Sequence, residues 1–360
     1  MNPVCRRLVA LYTGPGLARE LTPGDWEGIV RVARRSGLLA RLGERLEEGG
    51  RLEDTPEAVR DHIRGARILA ASHHRNIRWE VREIQAALRP RSIPFALLKG
   101  AAYVMAGLPA GRGRIFSDVD ILVPEARLPE AERALEVHGW VTTHRHPYDQ
   151  RYYRRWMHEL PPMEHVHRGT SLDVHHGLLP RTASRHPDPE RLWQAVRALP
   201  GWPGVWLLAP EDMVLHGAAH LFADGALENG LRDLTDLDAL LRHFGQDPGF
   251  AGRLTRRGEE LQLAQPLGDA LHWCRELLGT AGIPEEVPGS GRGRLALASR
   301  GRDLLFRQGL RPEHPLCGGI GNGLARWLLY LRSHLLRMPL RRLLPHLARK
   351  GLRPAARQAP

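Results

Sequence analysis

The sequence predicts an α+β protein, with a small mixed β-sheet in the middle of the chain and helical regions on both sides of it. Three observations predict this. Residues 1–90, and the stretch from Pro210 onward, carry apolar residues at helical spacing with charges between them. Between Ile93 and His175, short apolar runs alternate with turn residues, which is the pattern of strands. Gly- and Pro-rich stretches at 107–113 and 283–302 punctuate the chain. The expected organisation is an N-terminal helical region over 1–90, a core over 91–180, a helical domain over 181–282, and a linker with a basic helical tail over 283–360.

The elements follow in order. Pro23–Leu46 and Pro56–Leu88 read as helices. Ile93–Leu98 reads as a short buried strand running into Lys99-Gly100, which opens a helix through Met105. Ile115–Val123 reads as a second strand, stopped by Pro124. A helix from about Leu128 to His138 ends at Gly139. Trp140–Thr143 and Gln150–Trp156 read as further strands, and Glu164–His167 with Ser171–His175 as a hairpin about Arg168-Gly169. Glu211–Phe222 and Leu231–Phe244 are the clearest later helices. Near the end, Leu324, Trp327, Leu328, Leu331 and Leu335 form one apolar stripe among arginines, and Pro339 should end or kink that helix.

Charge is unevenly placed. The formal net charge is +12. Residues 286–360 hold fifteen Arg or Lys and three acidic residues, also a net of +12, so the preceding 285 residues sum to zero. The basic tail is expected to contact an anionic partner or a membrane surface; a solvated basic face is the alternative. No apolar run approaches the ~20 residues of a transmembrane segment, and residues 1–10 lack the apolar stretch of a signal peptide. The three cysteines, Cys5, Cys274 and Cys317, lie far apart and suggest no disulfide framework. The expected localisation is cytoplasmic.

The residues with chemical interest lie in the central strands. In Asp118-Val119-Asp120 the two carboxylates share one face of a strand. Two carboxylates so close repel unless a cation sits between them, and hard Mg²⁺ or Mn²⁺ suits oxygen ligands. Asp173, in Ser171–His175, supplies a third carboxylate on another strand. Lys99-Gly100 falls at a strand-to-helix turn, where backbone N–H groups favour phosphate. The chain has fifty arginines and two lysines, so Lys99, at the end of an apolar run, is a candidate for a specific task. His158, His165, His167, His175, His176 and His186 crowd the same region, but their spacing matches no standard zinc motif, and His216/His220 lack the HExxH glutamate.

Together these stretches resemble the nucleotidyltransferase superfamily of the polymerase-β fold, and within it an uncharacterised bacterial nucleotidyltransferase family. The features that carry the resemblance are Leu98-Lys99-Gly100-Ala101, then Arg114 ahead of Asp118-x-Asp120-Ile121-Leu122-Val123, then Leu172-Asp173-Val174-His175. His216 and His220 on one helix, and Arg232-Asp233-Leu234-x-Asp236, extend it. The resemblance implies a polymerase-β-like core and magnesium-dependent transfer of a nucleotide from an NTP to an unidentified acceptor, a small molecule, a protein or RNA. It implies Asp118, Asp120 and Asp173 as metal ligands and catalytic residues. It also implies nucleotide contacts from Lys99, Gly100, Arg114 and Ser117, and a tuning or substrate-binding role for His175. One departure stands out. The superfamily's phosphate turn carries Gly-Ser or Gly-Gly, whereas Gly100 is followed by Ala101. That missing hydroxyl favours the alternative, a catalytically inactive binding or scaffold protein of the same fold. A D-x-D glycosyltransferase is a further alternative, but it requires a βαβ half where residues 1–90 read as helical.

Overall fold

The computed structural model describes residues 2–144, 146–225, 227–284, 287–291, 296–318 and 320–337. It is an α+β fold with fourteen helices and seven strands among those residues. Helices α1 (Pro3–Thr13), α2 (Pro23–Arg35), α3 (Leu39–Glu48) and α4 (Glu57–Leu88) form the N-terminal region. Then come β1 (Phe95–Leu97), α5 (Lys99–Met105), β2 (Asp118–Leu122), α6 (Leu128–Val137), β3 (Trp140–Thr142), α7 (Pro147–Trp156), β4 (Met163–His165) and β5 (Ser171–His175). Next are α8 (Pro189–Trp193), β6 (Arg197–Ala198), β7 (Val205–Leu207), α9 (Pro210–Ala219), α10 (Gly230–Phe244), α11 (Phe250–Glu260) and α12 (Ala264–Leu278). The last are α13 (Ala296–Gly309) and α14 (Ile320–Arg337).

The strands form one mixed sheet in the order β3-β4-β5-β2-β1-β7-β6. At its centre β2 runs antiparallel to β1 and parallel to β5. The β2–β5 register sets Asp118 opposite Ser171 and Asp120 opposite Asp173. Val119, Ile121, Leu172 and Val174 point into the core and are fully buried or nearly so. Burial of those alternate residues holds the register, because a one-residue slip would turn every carboxylate inward. Strands β6 and β7 carry no clear sequence signal, yet β7 pairs in parallel with β1 and extends the sheet past residue 180.

Two expectations need correction. Gln150–Trp156 is not a strand but the body of α7. Pro147 occupies its first turn, the His146 side chain accepts the Tyr148 N–H, Asp149 sits in the first turn and Arg154 and Arg155 in the last. Those end effects outweigh the strand preference of Tyr152, Tyr153 and Trp156. Second, Cys5 and Cys317 are joined in a disulfide across 312 residues. So long a separation leaves no local trace in the sequence; the pairing follows from packing of the last segment beside α1 and α2, where Leu316 approaches Gly28. The compartment inferred from unpaired cysteines loses that support. No helix among the described residues is long and apolar enough to cross a membrane. The stripe on α14 faces outward: Leu324, Trp327 and Leu335 are exposed, while Ala325, Leu329 and Ser333 are buried. Pro339 lies outside the described residues.

Three separate parts of the chain meet at one carboxylate. Arg41, from α3, pairs with Asp236 of α10 at 2.6 Å and donates to Thr235 Oγ1 at 2.6 Å and to the carbonyls of Ala110 and Arg112. Arg114, ahead of β2, pairs with the other oxygen of Asp236. All three side chains are nearly inaccessible to solvent. Gly113 makes this approach feasible: its φ is +62°, and an added Cβ would lie 2.6 Å from the backbone nitrogen of Arg41. The long helix α4 holds the same segment from the other side, His73 accepting the Phe116 N–H at 3.2 Å and His74 lying 3.1 Å from the Arg114 carbonyl. Removing the shared carboxylate would leave two buried cations facing each other, a loss of about 3–5 kcal/mol. Asp236→Ala should therefore lower the unfolding free energy by that amount, seen as a lower urea midpoint with the slope of the transition unchanged; a midpoint within error of wild type would remove the network from any structural role.

Candidate active site

The site begins with strand alternation. Asp118 and Asp120 project from one face of β2, and Asp173 and His175 from the same face of β5. All four line a cavity of about 370 Å³ between the sheet and helices α9 and α10, a volume within the ordinary range for ligand sites of about 300–1,000 Å³. Lys99 closes one end. It opens α5, one residue past β1, and has a left-handed φ of 45°, a conformation that costs a non-glycine residue roughly 1–2 kcal/mol. Strain of this kind is retained where a side chain must be aimed. Here Lys99 Nζ donates to Asp120 Oδ1 at 2.9 Å. His175 Nε2 donates to the same oxygen at 3.0 Å.

The remaining expected residues fall as follows. Ser117 lines the cavity, and its hydroxyl donates to Asp118 Oδ1 at 3.0 Å. Arg114 reaches the cavity wall, but its guanidinium is engaged by Asp236, with Asp233 at 3.9 Å. Gly100 is buried, and an added Cβ would lie 2.2 Å from Phe116 Cε1 and 2.7 Å from Arg114 Nε. The space at this glycine is thus filled by the segment leading into β2, which locks the Lys99 turn against the two aspartates.

The opposite wall comes from residues without motif status in the central strands. His216 and His220 project from α9 and the turn after it, one helical turn apart; Asp224, Glu228, Arg232 and Asp233 follow. Of all these, only the His216/His220 spacing and the Arg232-Asp233 pair were visible in the sequence. His158 and Glu159 also line the cavity, just past the segment that reads as a strand; His158 stood among the histidines of the region, and Glu159 gave no signal.

The charge balance of the cavity is uneven. Eight carboxylates line it, Asp118, Asp120, Glu159, Asp173, Asp224, Glu228, Asp233 and Asp236, against three lining cations, Lys99, Arg114 and Arg232, with Arg41 and Arg337 pairing Asp236 and Asp224 from outside the lining. Their protonation reflects this. Burial, with the neighbouring charge of Asp120, pushes Asp173 up to about 7. Burial and Asp120 also raise Asp118. Asp120 moves the other way: burial opposes it, but Lys99 and His175 hold it well below the usual carboxylate range. Burial works against the charge on Lys99, yet Asp120 holds its ammonium above the ordinary lysine range. Asp173 Oδ1 is buried with no hydrogen-bond partner. An oxygen left in this way beside two further carboxylates is the donor set of a hard divalent cation, so Asp118, Asp120 and Asp173 fit one.

The family described as uncharacterised nucleotidyltransferase matches residues 22–279, and the chain belongs to that family. No curated protein and no solved structure matches it.

The pH dependence of stability follows from Asp173. An unfolded aspartate ionises near about 3.9, whereas folded Asp173 keeps its proton up to about 7. Between those values the folded chain binds more protons than the unfolded one, so this contribution to stability falls as pH rises through the window. Asp173→Asn preserves the neutral form. In metal-free buffer the variant should melt several degrees above wild type at pH 8 and level with it at pH 4. A difference independent of pH would place the ionisation elsewhere.

Proposed function

We propose that the chain is a magnesium-dependent nucleotidyltransferase that moves a nucleoside monophosphate from an NTP to an acceptor hydroxyl. The observation that carries this reading is the excess of carboxylates around a cavity on the strands that hold Asp118, Asp120 and Asp173, eight against three lining cations and two arginines, Arg41 and Arg337, that reach it from outside. A triphosphate would be repelled from such a cavity unless divalent cations entered with it. Family membership supports the reaction class.

In this reading Asp118, Asp120 and Asp173 hold the divalent cations, Mg²⁺ or Mn²⁺. When bound, these ions neutralise the triphosphate and make the acceptor hydroxyl more acidic. The protein supplies the remainder by positioning. Ser117, through its hydrogen bond to Asp118, fixes the orientation of that carboxylate. Lys99 is the cation closest to the aspartates and stands ready to exchange Asp120 for a phosphate oxygen; Arg114 holds the segment on which Asp118 and Asp120 sit. His175 orients Asp120 through Nε2. Asp173, set across from Asp120, takes the acceptor's proton with a carboxylate oxygen that is not engaged by a cation. The acceptor oxygen then bonds to the α-phosphorus, the bond to the β-phosphate bridge breaks, and pyrophosphate leaves.

Two observations favour the rival reading, a nucleotide-binding or scaffold protein without chemistry. Lys99 already neutralises Asp120, and Ala101 stands where the superfamily has a hydroxyl or glycine. Incubation of the protein with Mg²⁺, α-labelled NTPs and cell extract separates the two. Wild type should transfer label to an acceptor, and Asp118→Ala/Asp120→Ala should lose at least about 10³-fold of that rate with an unchanged circular dichroism spectrum. Absence of both transfer and Mg²⁺-NTP binding in wild type would contradict the proposal.

A further inference from the structure

A second group of ligand-type side chains lies beside the aspartates; of its three members the reaction above uses only His175, and that through Nε2. His158, Glu159 and His175 each place one donor atom within 4.8 Å of the others. The backbone brings them together. Glu159 forms an isolated antiparallel bridge with His175. His176 N donates to the His158 carbonyl at 2.8 Å, and Leu160 N to the Val174 carbonyl at 2.8 Å. Residues directly opposite in such a pair project to one side. The His158 and His175 rings lie 5.2 Å apart.

Two atoms of this group are anomalous for a closed core. His158 Nδ1 and His175 Nδ1 are both buried with no hydrogen-bond partner, and both side chains are almost wholly inaccessible. Leaving a buried ring nitrogen without a partner is costly, and here two such nitrogens belong to neighbouring rings beside the Glu159 carboxylate. Glu159 Oε2 stands 3.5 Å from His175 Nδ1. Donors bound to one zinc ion at about 2.0–2.1 Å in a tetrahedron stand roughly 3.3 Å apart, so the Glu159–His175 pair already has the spacing, and the third donor, on His158, lies within 4.8 Å of both. The other face of His175 is prepared in the same sense. Its Nε2 donates to Asp120, and a carboxylate on the far nitrogen of a histidine is the usual support for a metal-ligating ring, fixing its tautomer and leaving Nδ1 for the ion.

We propose that His158, Glu159 and His175 form a binding site for a divalent transition metal of the zinc class, separate from the hard-cation site on the aspartates. Two imidazoles and one carboxylate suit zinc-class ions and not magnesium. Three protein donors leave at least one coordination position open, and all three residues line the cavity, so the open position is available to a water or an acceptor oxygen. The two sites are joined through the His175–Asp120 hydrogen bond. The proposal goes beyond the nucleotidyl-transfer reading and does not need it, because both sites could fill in a protein that transfers nothing.

Cobalt tests it. The full chain, stripped of metal and carrying Asp118→Asn/Asp173→Asn to weaken the hard-cation site, is titrated with Co²⁺ alone and followed by visible absorption. One equivalent should give the d–d bands of a four- or five-coordinate ion, and Zn²⁺ should displace it. Adding His158→Ala or Glu159→Gln should lower the Co²⁺ affinity at least about 100-fold, since loss of even a supporting residue costs about 10–100-fold. Should the alanine variant fail to fold, as judged by circular dichroism, His158→Gln takes its place. No visible bands at one equivalent, or bands that persist at the same affinity in both ligand variants, would overturn the site. Neither outcome bears on NTP transfer, which is measured separately with the aspartates intact.

Discussion

Asp236 lies between two buried arginines, and the rest of the site depends on that contact. Arg41 comes from the N-terminal helices, Arg114 from the segment entering β2, and Asp236 from α10. A buried ion pair is not a strong net source of stability, because desolvation cancels much of the attraction. Its value here is positional. Two guanidiniums need one carboxylate, and only one placement of α3 and α10 against the strand provides it. The wall of the cavity and its floor are thereby set relative to each other, with the sheet's carboxylates on one side and His216, His220 and Arg232 on the other.

The second constraint is the parallel pairing of β2 with β5. It sets Asp120 directly across from Asp173 and concentrates negative charge that the fixed cations do not offset. The protein meets part of this imbalance internally: Lys99 and His175 both donate to one oxygen of Asp120, while Asp173 holds a proton to about pH 7. On the reading proposed above, bound cations balance the remainder. The left-handed turn at Lys99 and the contact of Gly100 with Phe116 and Arg114 show that the protein accepts strain and close packing to hold the lysine there.

Much of this was legible in the sequence, and the failures have physical causes. The central strands, the Lys99 turn and the carboxylates could be read because strand alternation is a local rule and D-x-D obeys it within three residues. The helices at both ends could be read from their period. The α7 segment was misread because aromatic residues favour strands while the caps that decided the matter, Pro147 and His146, lay outside the run. The Cys5–Cys317 pair and the meeting of His158 and Glu159 with His175 depend on tertiary contacts that no local pattern records. Arg114 was visible as a residue, but not its burial against Asp236, which makes it a strut of the site as much as a part of its lining. The short strands β6 and β7 owe their place to the open edge of β1 rather than to their own sequence.

The central claim is that Asp118, Asp120 and Asp173 hold a divalent cation together with a nucleoside triphosphate. A crystal grown with Mn²⁺ and a non-hydrolysable NTP tests it most directly, because manganese can be located by its anomalous scattering. The account predicts an anomalous peak among those three carboxylates, with the triphosphate beside it and Lys99 turned from Asp120 to a phosphate oxygen. Nucleotide bound elsewhere, or a peak absent from the aspartates while Lys99 stays on Asp120, would contradict it.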